Sequence, residues 1–182
     1  ACATSAVREA ENGEALVQKI YEESGLKINI ISGEEEAEMI NRVIAFQLDE
    51  GDYLHIDVGG GSTELNIYKN KIKVGAKSFP IGTVRKLGLK SKEAAWQALY
   101  DWIDSYTSNS DYHITAIGTG GNINKLYELA VGIADKQMSF KQLKNTRSML
   151  KELPFEERMY KLQLNADRAD VIIPASDIYL NV

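Results

Sequence analysis

The sequence predicts an α/β fold: a mixed sheet that begins with three antiparallel strands and is flanked by helices. Three observations predict it. Runs rich in Ile, Val and Tyr lie on either side of Gly59-Gly60-Gly61 and of Lys69-Asn70, so three strands follow one another through tight turns. Segments with apolar residues at helical spacing precede and follow them. A further strand, His113 to Ile117, passes through Gly118-Thr119-Gly120-Gly121 directly into a helix. A chain of 182 residues suffices for one good core, so a single domain over residues 1–182 is expected.

In chain order, Glu14 to Ser24 carries Ala15, Leu16, Ile20 and Tyr21 at helical spacing, and Gly25 closes this helix at the C′ position. Lys27 to Ile31 alternates polar and apolar residues, which fits a strand. Ser32 then caps a helix, with Glu35 at N3 completing a capping box and the acids of the first turn suiting the helix dipole. Glu36 lies four residues before Ile40 and seven before Val43, on a stripe that also carries Ile44, so its carboxylate is expected to point inward. Such an acid either serves as a general base or pairs with an arginine. Next come the strand ending at Val58, a second reaching Tyr68, a turn at Lys69-Asn70 and a third strand from Lys71 to Ser78. Lys92 to Tyr106 places Ala95, Leu99, Trp102, Ile103 and Tyr106 on one helical face. After the strand at His113, helices are expected over Asn122 to Ala130, Phe140 to Leu153 and Phe155 to Tyr179, with Pro154 and Pro174 interrupting.

A formal net charge of -5 argues against a general nucleic-acid surface, which needs clustered Lys and Arg. A polyanionic ligand must therefore be met by local cations or a metal. Cys2 is the only cysteine, so no internal disulfide forms, and a reducing compartment is the simplest home. With neither a membrane-length apolar run nor a signal-like start, the expectation is a cytoplasmic protein with no membrane partner. The small apolar start at Ala1 and the apolar end at Val182 suggest a piece of a longer chain.

The chemistry concentrates in His55-Ile56-Asp57-Val58-Gly59-Gly60-Gly61-Ser62-Thr63-Glu64-Leu65. Three glycines allow positive φ and bare N–H groups against a ligand, Ser62 and Thr63 add short donors, and Asp57 and Glu64 offer oxygen to a hard cation. The structural alternative is a plain hairpin turn, weighed against the expense of an acid at the end of an apolar strand. Gly118-Thr119-Gly120-Gly121, between strand and helix, is a weaker anion-binding signal. Neither loop has the pattern of a P-loop or of a dinucleotide fingerprint. Arg8 is either a phosphate-binding guanidinium or a solvated charge. His55 and His113 lack ligand-spaced companions and read as strand histidines with local hydrogen bonds, and no serine has a histidine partner for a hydrolytic triad.

Six segments in order resemble motifs of the exopolyphosphatase and guanosine pentaphosphate phosphatase (Ppx/GppA) family. They are Ala3 to Ala10, Ile31 to Ala37, Ile56 to Leu65, Phe79-Pro80-Ile81-Gly82-Thr83-Val84-Arg85, Gly118 to Gly121, and Arg168-Ala169-Asp170-Val171-Ile172-Ile173-Pro174. The resemblance spans nearly the whole chain. It implies the actin-like ATPase superfamily, with two ribonuclease H-like domains around a cleft, and this chain looks like the second, C-terminal one. By this resemblance Glu36 matches the catalytic glutamate that activates a water, and Asp57 and Glu64 match the acids that hold Mg²⁺ or Mn²⁺. Gly59, Gly60, Gly61, Ser62 and Thr63 match the phosphate-binding turn, and Arg8 an arginine facing the phosphate chain. Gly118, Gly120 and Gly121 match a turn that lies beside the adenosine in nucleotide-binding relatives, and they join the phosphate-binding set.

The implied substrate is inorganic polyphosphate or guanosine pentaphosphate. The implied partners are the missing N-terminal domain of the same parent chain and a second copy in a homodimer. Two departures weaken the match: Glu38 stands where relatives often have Arg, and the chain stops before a Gly-x-Arg-Glu-Gly-type motif. A fragment of this kind is expected to fold but to turn over substrate poorly. Two other readings stay open, a nucleotide or alarmone binding module without hydrolysis and an actin-like kinase domain; the Glu36 motif argues against the second.

Overall fold

The computed structural model describes residues 1–84, 88–107, 113–132 and 137–182. Contacts divide the chain into two compact units, Ala1–Asp49 and Glu50–Val182. The division follows the sheets. The first unit completes a two-stranded sheet of its own, and the four-stranded sheet forms entirely from later residues.

In the first unit, β1 (Cys2–Ala3) pairs in parallel with β2 (Asn29–Ile30), so the expected strand from Lys27 shrinks to two residues. Between them lie α1 (Ser5–Arg8) and α2 (Gly13–Ser24). Gly25 takes φ 71° and donates its N–H to the Tyr21 carbonyl at 2.8 Å, the expected left-handed cap. α3 (Gly33–Gln47) starts on the expected capping box: Ser32 Oγ accepts from the Glu35 N–H at 3.1 Å, and Glu35 Oε2 accepts from the Ser32 N–H at 2.8 Å. Ser32→Ala is expected to destabilise this unit by about 1 kcal/mol, read as a lower denaturant midpoint at unchanged slope.

The expected inward stripe on α3 is corrected. Ile40 and Val43 are 41% and 59% exposed, and the buried line runs instead through Ile44 and Leu48. Apolar residues at 37, 39, 40, 43, 44 and 46 surround this helix, so spacing alone does not single out one buried face.

The second unit is built on a sheet of order β5-β4-β3-β6. β3 (Asp52–Val58), β4 (Thr63–Lys69) and β5 (Ile72–Phe79) form the expected antiparallel meander. The turn between the last two lies one residue later than expected: Asn70 and Lys71, at φ 48° and 69°, are its central pair, the double positive φ of a hairpin turn that follows the sheet twist. α4 (Leu89–Thr107) crosses over to β6 (Ile114–Thr119), which pairs with β3 in parallel. Gly75 leaves room for this crossing, since a Cβ there would lie 2.5 Å from the Tyr106 hydroxyl.

Leu54, Ile56, Val58, Leu65 and Ile67 form the apolar face of the sheet. They join a core completed by Leu99, Leu126, Leu150 and Ile172 of the helices. Those helices are α4, α5 (Gly121–Val131), α6 (Phe140–Glu152) and α8 (Ala166–Asn181), and α7 (Phe155–Leu162) packs the partly buried Phe155, Met159 and Leu162 against the same core. Alternation along the strands sends His55 and Asp57 to the opposite face.

The C-terminal helical stretch breaks at Gln163, which takes φ 52°, and Asn165 caps α8 by accepting from the Arg168 N–H at 2.9 Å. Pro174 does not interrupt α8. Ile172, Ala175, Ser176, Ile178 and Tyr179 are buried around it, and the carbonyl that loses a partner belongs to Asp170, which is exposed to solvent. Among the described residues no helix is long and apolar enough to cross a membrane.

Candidate functional site

In the second unit the chemistry gathers at the ends of β3, β4 and β6. Asp57 and Glu64 stand directly opposite each other across the β3–β4 ladder, so both half-buried side chains leave the same face of the sheet. Glu64 Oε1 accepts from Ser62 Oγ at 2.5 Å and Ser78 Oγ at 3.0 Å. Burial pushes the Asp57 carboxyl above the ordinary carboxylate range, the charge of Glu64 pushes it further, and a hydrogen bond from the Thr119 side chain partly offsets both. Two like charges met mainly by hydroxyl donors form a site that a hard cation would stabilise. Among the described residues no group of three or more His, Cys, Asp or Glu gathers in metal-binding geometry, so a cation here would have only this pair as carboxylate donors. Such a set fits Mg²⁺, which keeps several waters and takes the rest of its shell from phosphates.

The glycine turn between the two acids differs from the expectation in its conformation. Gly59, Gly60 and Gly61 are absent from the positive-φ residues of this structure. Close packing marks the turn instead. The segment after β5 lies on the turn, with the Thr83 N–H donating to the Gly59 carbonyl at 3.0 Å and the Val84 N–H to the Gly60 carbonyl at 2.9 Å. A Cβ on Gly60 would lie 3.2 Å from Val84, and one on Gly82 would collide with the Gly60 carbonyl. The Gly59 N–H closes the turn onto the Ser62 carbonyl at 2.9 Å, while no acceptor is found among the described residues for the N–H groups of Gly60 and Gly61. Thr63 is buried, and its hydroxyl donates to the Ile81 carbonyl at 2.7 Å, so it braces the turn from beneath. The Ser62 hydroxyl is directed at Glu64. Arg85, the last residue of the motif that supplies this packing segment, lies outside the described residues.

The second glycine loop abuts the same acid. Gly120 takes φ 101°, and a Cβ there would lie 3.3 Å from Asp57 Oδ1, so both conformation and proximity call for glycine. Gly121 opens α5 and makes room for the Arg168 guanidinium, which a Cβ would strike; a Cβ on Gly118 would lie 2.6 Å from the Ile123 side chain. Thr119, Tyr179, Arg168, Asn66 and Ser78, none of which carries a functional signal in the sequence motifs, also gather here. The Tyr179 hydroxyl donates to the Thr119 carbonyl at 3.1 Å, and burial together with the Asp57 charge raises its pKa far above normal. Asn66 and Ser78 were within reach of sequence. A four-residue hairpin loop at 59–62 sets Asn66 opposite His55, and the next strand sets Ser78 opposite Glu64. Thr119 and Tyr179 arrive through long-range packing that carries no local signal.

His55 has the local hydrogen bonds expected of a strand histidine, to Asn66 at 3.1 Å and to Thr119 at 2.8 Å; His113 is exposed. In the first unit, Arg8 and Glu36 come together. Arg8 Nη1 donates to the Ile31 carbonyl at 2.7 Å and lies 3.5 Å from Glu36 Oε2, both side chains being about one-third exposed. This is the arginine pairing that the sequence left as the alternative for Glu36.

The fold is that of the actin-like ATPase class. This chain is similar to the Aquifex aeolicus PPX-GPPA enzyme, with a TM-score of 0.72 and 29% identity over 99% of this chain and 66% of that one. The type II variant of the Aquifex aeolicus Ppx/GppA phosphatase gives 0.67 and 28%, over 99% and 65%. The Ppx/GppA phosphatase family matches over residues 1–182, and the chain belongs to that family. In sequence it is similar to exopolyphosphatase 1 of Mycobacterium tuberculosis, 33% identical over 87 residues that make up 47% of this chain and 25% of that protein. The chain thus spans just under two thirds of the first structural relatives, and the matched stretch a quarter of that curated one.

Proposed function

We propose that these residues belong to a phosphohydrolase that removes terminal phosphate from inorganic polyphosphate or guanosine pentaphosphate, with Mg²⁺ or Mn²⁺ as cofactor. The observation that carries this reading is the Asp57–Glu64 pair at a turn whose Gly60 and Gly61 N–H groups find no acceptor among the described residues. Asp57 and Glu64 would hold the cation, which when bound supplies charge neutralisation at the phosphate. In the second unit the amides of Gly60 and Gly61 and the start of α5 at Gly120-Gly121 offer N–H groups to phosphate oxygens, and by the family resemblance Arg8 is the guanidinium assigned to the phosphate chain.

Glu36 takes a proton from the attacking water. The water oxygen bonds to the terminal phosphorus as the bridging P–O bond breaks, releasing orthophosphate and a substrate shorter by one phosphate. This chemistry asks mainly for positioning and charge stabilisation, which amides, a cation and one base can provide. A further domain of the same protein would form the opposite wall.

Orthophosphate release from polyphosphate, measured on the full-length protein that carries these residues, tests the reading. Turnover is expected to require Mg²⁺ or Mn²⁺ and to fall about 10²-fold in Glu36→Gln, the scale of a lost general base. Unchanged turnover in that variant removes the base assignment. Tight guanosine tetraphosphate binding with no phosphate release from either substrate would replace hydrolysis by a binding role.

A further inference from the structure

Behind Asp57 lies a line of polar side chains that no step above uses. Asn66 stands opposite His55 in the β3–β4 ladder, with Nδ2 at 3.1 Å from His55 Nδ1. His55 Nε2 lies 2.8 Å from Thr119 Oγ1, and Thr119 stands opposite Asp57 in the parallel β3–β6 ladder, which sets its side chain beside the carboxylate on the same face. Tyr179 fixes the same threonine from the other side through its main-chain oxygen. His55 is 1% exposed, so water does not substitute for these partners.

We infer that Asn66, His55 and Thr119 form a one-way hydrogen-bond chain that aims the Asp57 carboxylate at its cation, which makes His55 and Thr119 positioning residues. The inference rests on the reading of Asp57 as a metal ligand. The direction follows from what each group can donate. An ionised carboxylate only accepts, so the single Thr119 hydroxyl proton goes to Asp57. The threonine then turns a lone pair toward His55, which must supply Nε2–H. That tautomer leaves Nδ1 bare, and the Asn66 amide N–H fills it. Every donor meets one acceptor, and the hydroxyl of Thr119 keeps a single orientation. The opposite tautomer would draw the threonine proton to His55 and turn its lone pairs on the carboxylate. A histidine at this buried strand position, where an aliphatic residue packs without needing partners, is accounted for by that restraint.

Nitrogen-15 NMR of the imidazole rings in the labelled chain tests the direction, with His113→Gln identifying the His55 signals. A ring proton on Nε2 alone is expected, and one on Nδ1 overturns the inference whether or not a metal binds. Mn²⁺ titration tests the consequence. Thr119→Val is expected to weaken affinity about 10–100-fold, the scale for removing an outer-shell partner, and Thr119→Ser to keep it within about threefold. A folded Thr119→Val that binds Mn²⁺ like the wild type overturns the inference. Equal binding by wild type and Asp57→Asn would instead remove the metal reading of Asp57, and the ring proton alone then decides the hydrogen-bond chain.

Discussion

Asp57→Asn is expected to raise the thermal midpoint of the metal-free chain while lowering turnover of the full-length protein about 10³-fold or more. The first effect follows from burial and from Glu64, which together hold the folded-state pKa of Asp57 above its ordinary 3.8. The folded chain therefore binds this proton more tightly than the unfolded one. The resulting stabilisation is present below pH 3.8 and is lost as pH rises through the folded value, so at pH 7 the ionised carboxylate burdens the fold. Asparagine removes the charge and keeps the shape. The second effect follows from the proposed cation, whose charge stabilisation would be worth several kcal/mol, and about 1.4 kcal/mol is tenfold in rate. Mg²⁺ at a hundredfold excess over its dissociation constant should also stabilise the wild type by about 2.7 kcal/mol and leave the variant unmoved. Thermal melts at pH 7 in chelator and in Mg²⁺, beside orthophosphate release, measure all three. A lower midpoint for the variant in chelator, or an undiminished response to Mg²⁺, contradicts the account.

The parts of this site legible in the sequence are those fixed by short-range geometry. Alternation along β3 sends Asp57 and His55 to one face, and the four-residue loop then sets Glu64 opposite the first and Asn66 opposite the second. Caps are equally local, and Ser32 with Glu35 and Gly25 were readable for that reason. The Gly59–Gly61 run was readable as a turn but not in its packing, because the strict demand for glycine falls on Gly82, in the segment that lies on the turn from the far end of β5.

Two kinds of feature escaped. Thr119 reaches Asp57 through a parallel pairing that closes only after the α4 crossover, and Tyr179 reaches Thr119 from the C-terminal helix. Nothing near either residue in sequence announces its partner. On α3 and α8 the difficulty was competition. Apolar residues around α3 offered several inward faces, and the break that Pro174 suggests fell instead at Gln163, where a left-handed residue and the Asn165 cap end one helix and begin another. Packing outweighs local preference in both cases.

Lowering pH from 7 to 5 is expected to remove about 2 kcal/mol of stability through His55 alone. Burial lowers its folded-state pKa to about 4 from 6.5 in the unfolded chain. Between those values the unfolded chain binds the proton and the folded chain does not, so stability is lost as pH falls from 6.5 toward 4, reaching about 3 kcal/mol below that window. The hydrogen bonds act in the same direction, since a charged ring carries protons on both nitrogens and Nδ1 then no longer accepts from Asn66. Asp57 opposes this over part of the range, because protonation relieves its burden as pH falls. The histidine contribution is isolated by comparing urea unfolding of the wild type and of His55→Val at pH 7 and pH 5. Valine lowers stability at both pH values by removing the ring that meets the Asn66 amide and a lone pair of the Thr119 hydroxyl, but it carries no titration, so its loss between the two should be about 2 kcal/mol smaller than the wild type's. Equal losses in the two proteins would mean that the folded chain protonates His55 as readily as the unfolded one, which a ring sealed between Asn66 and Thr119 does not allow.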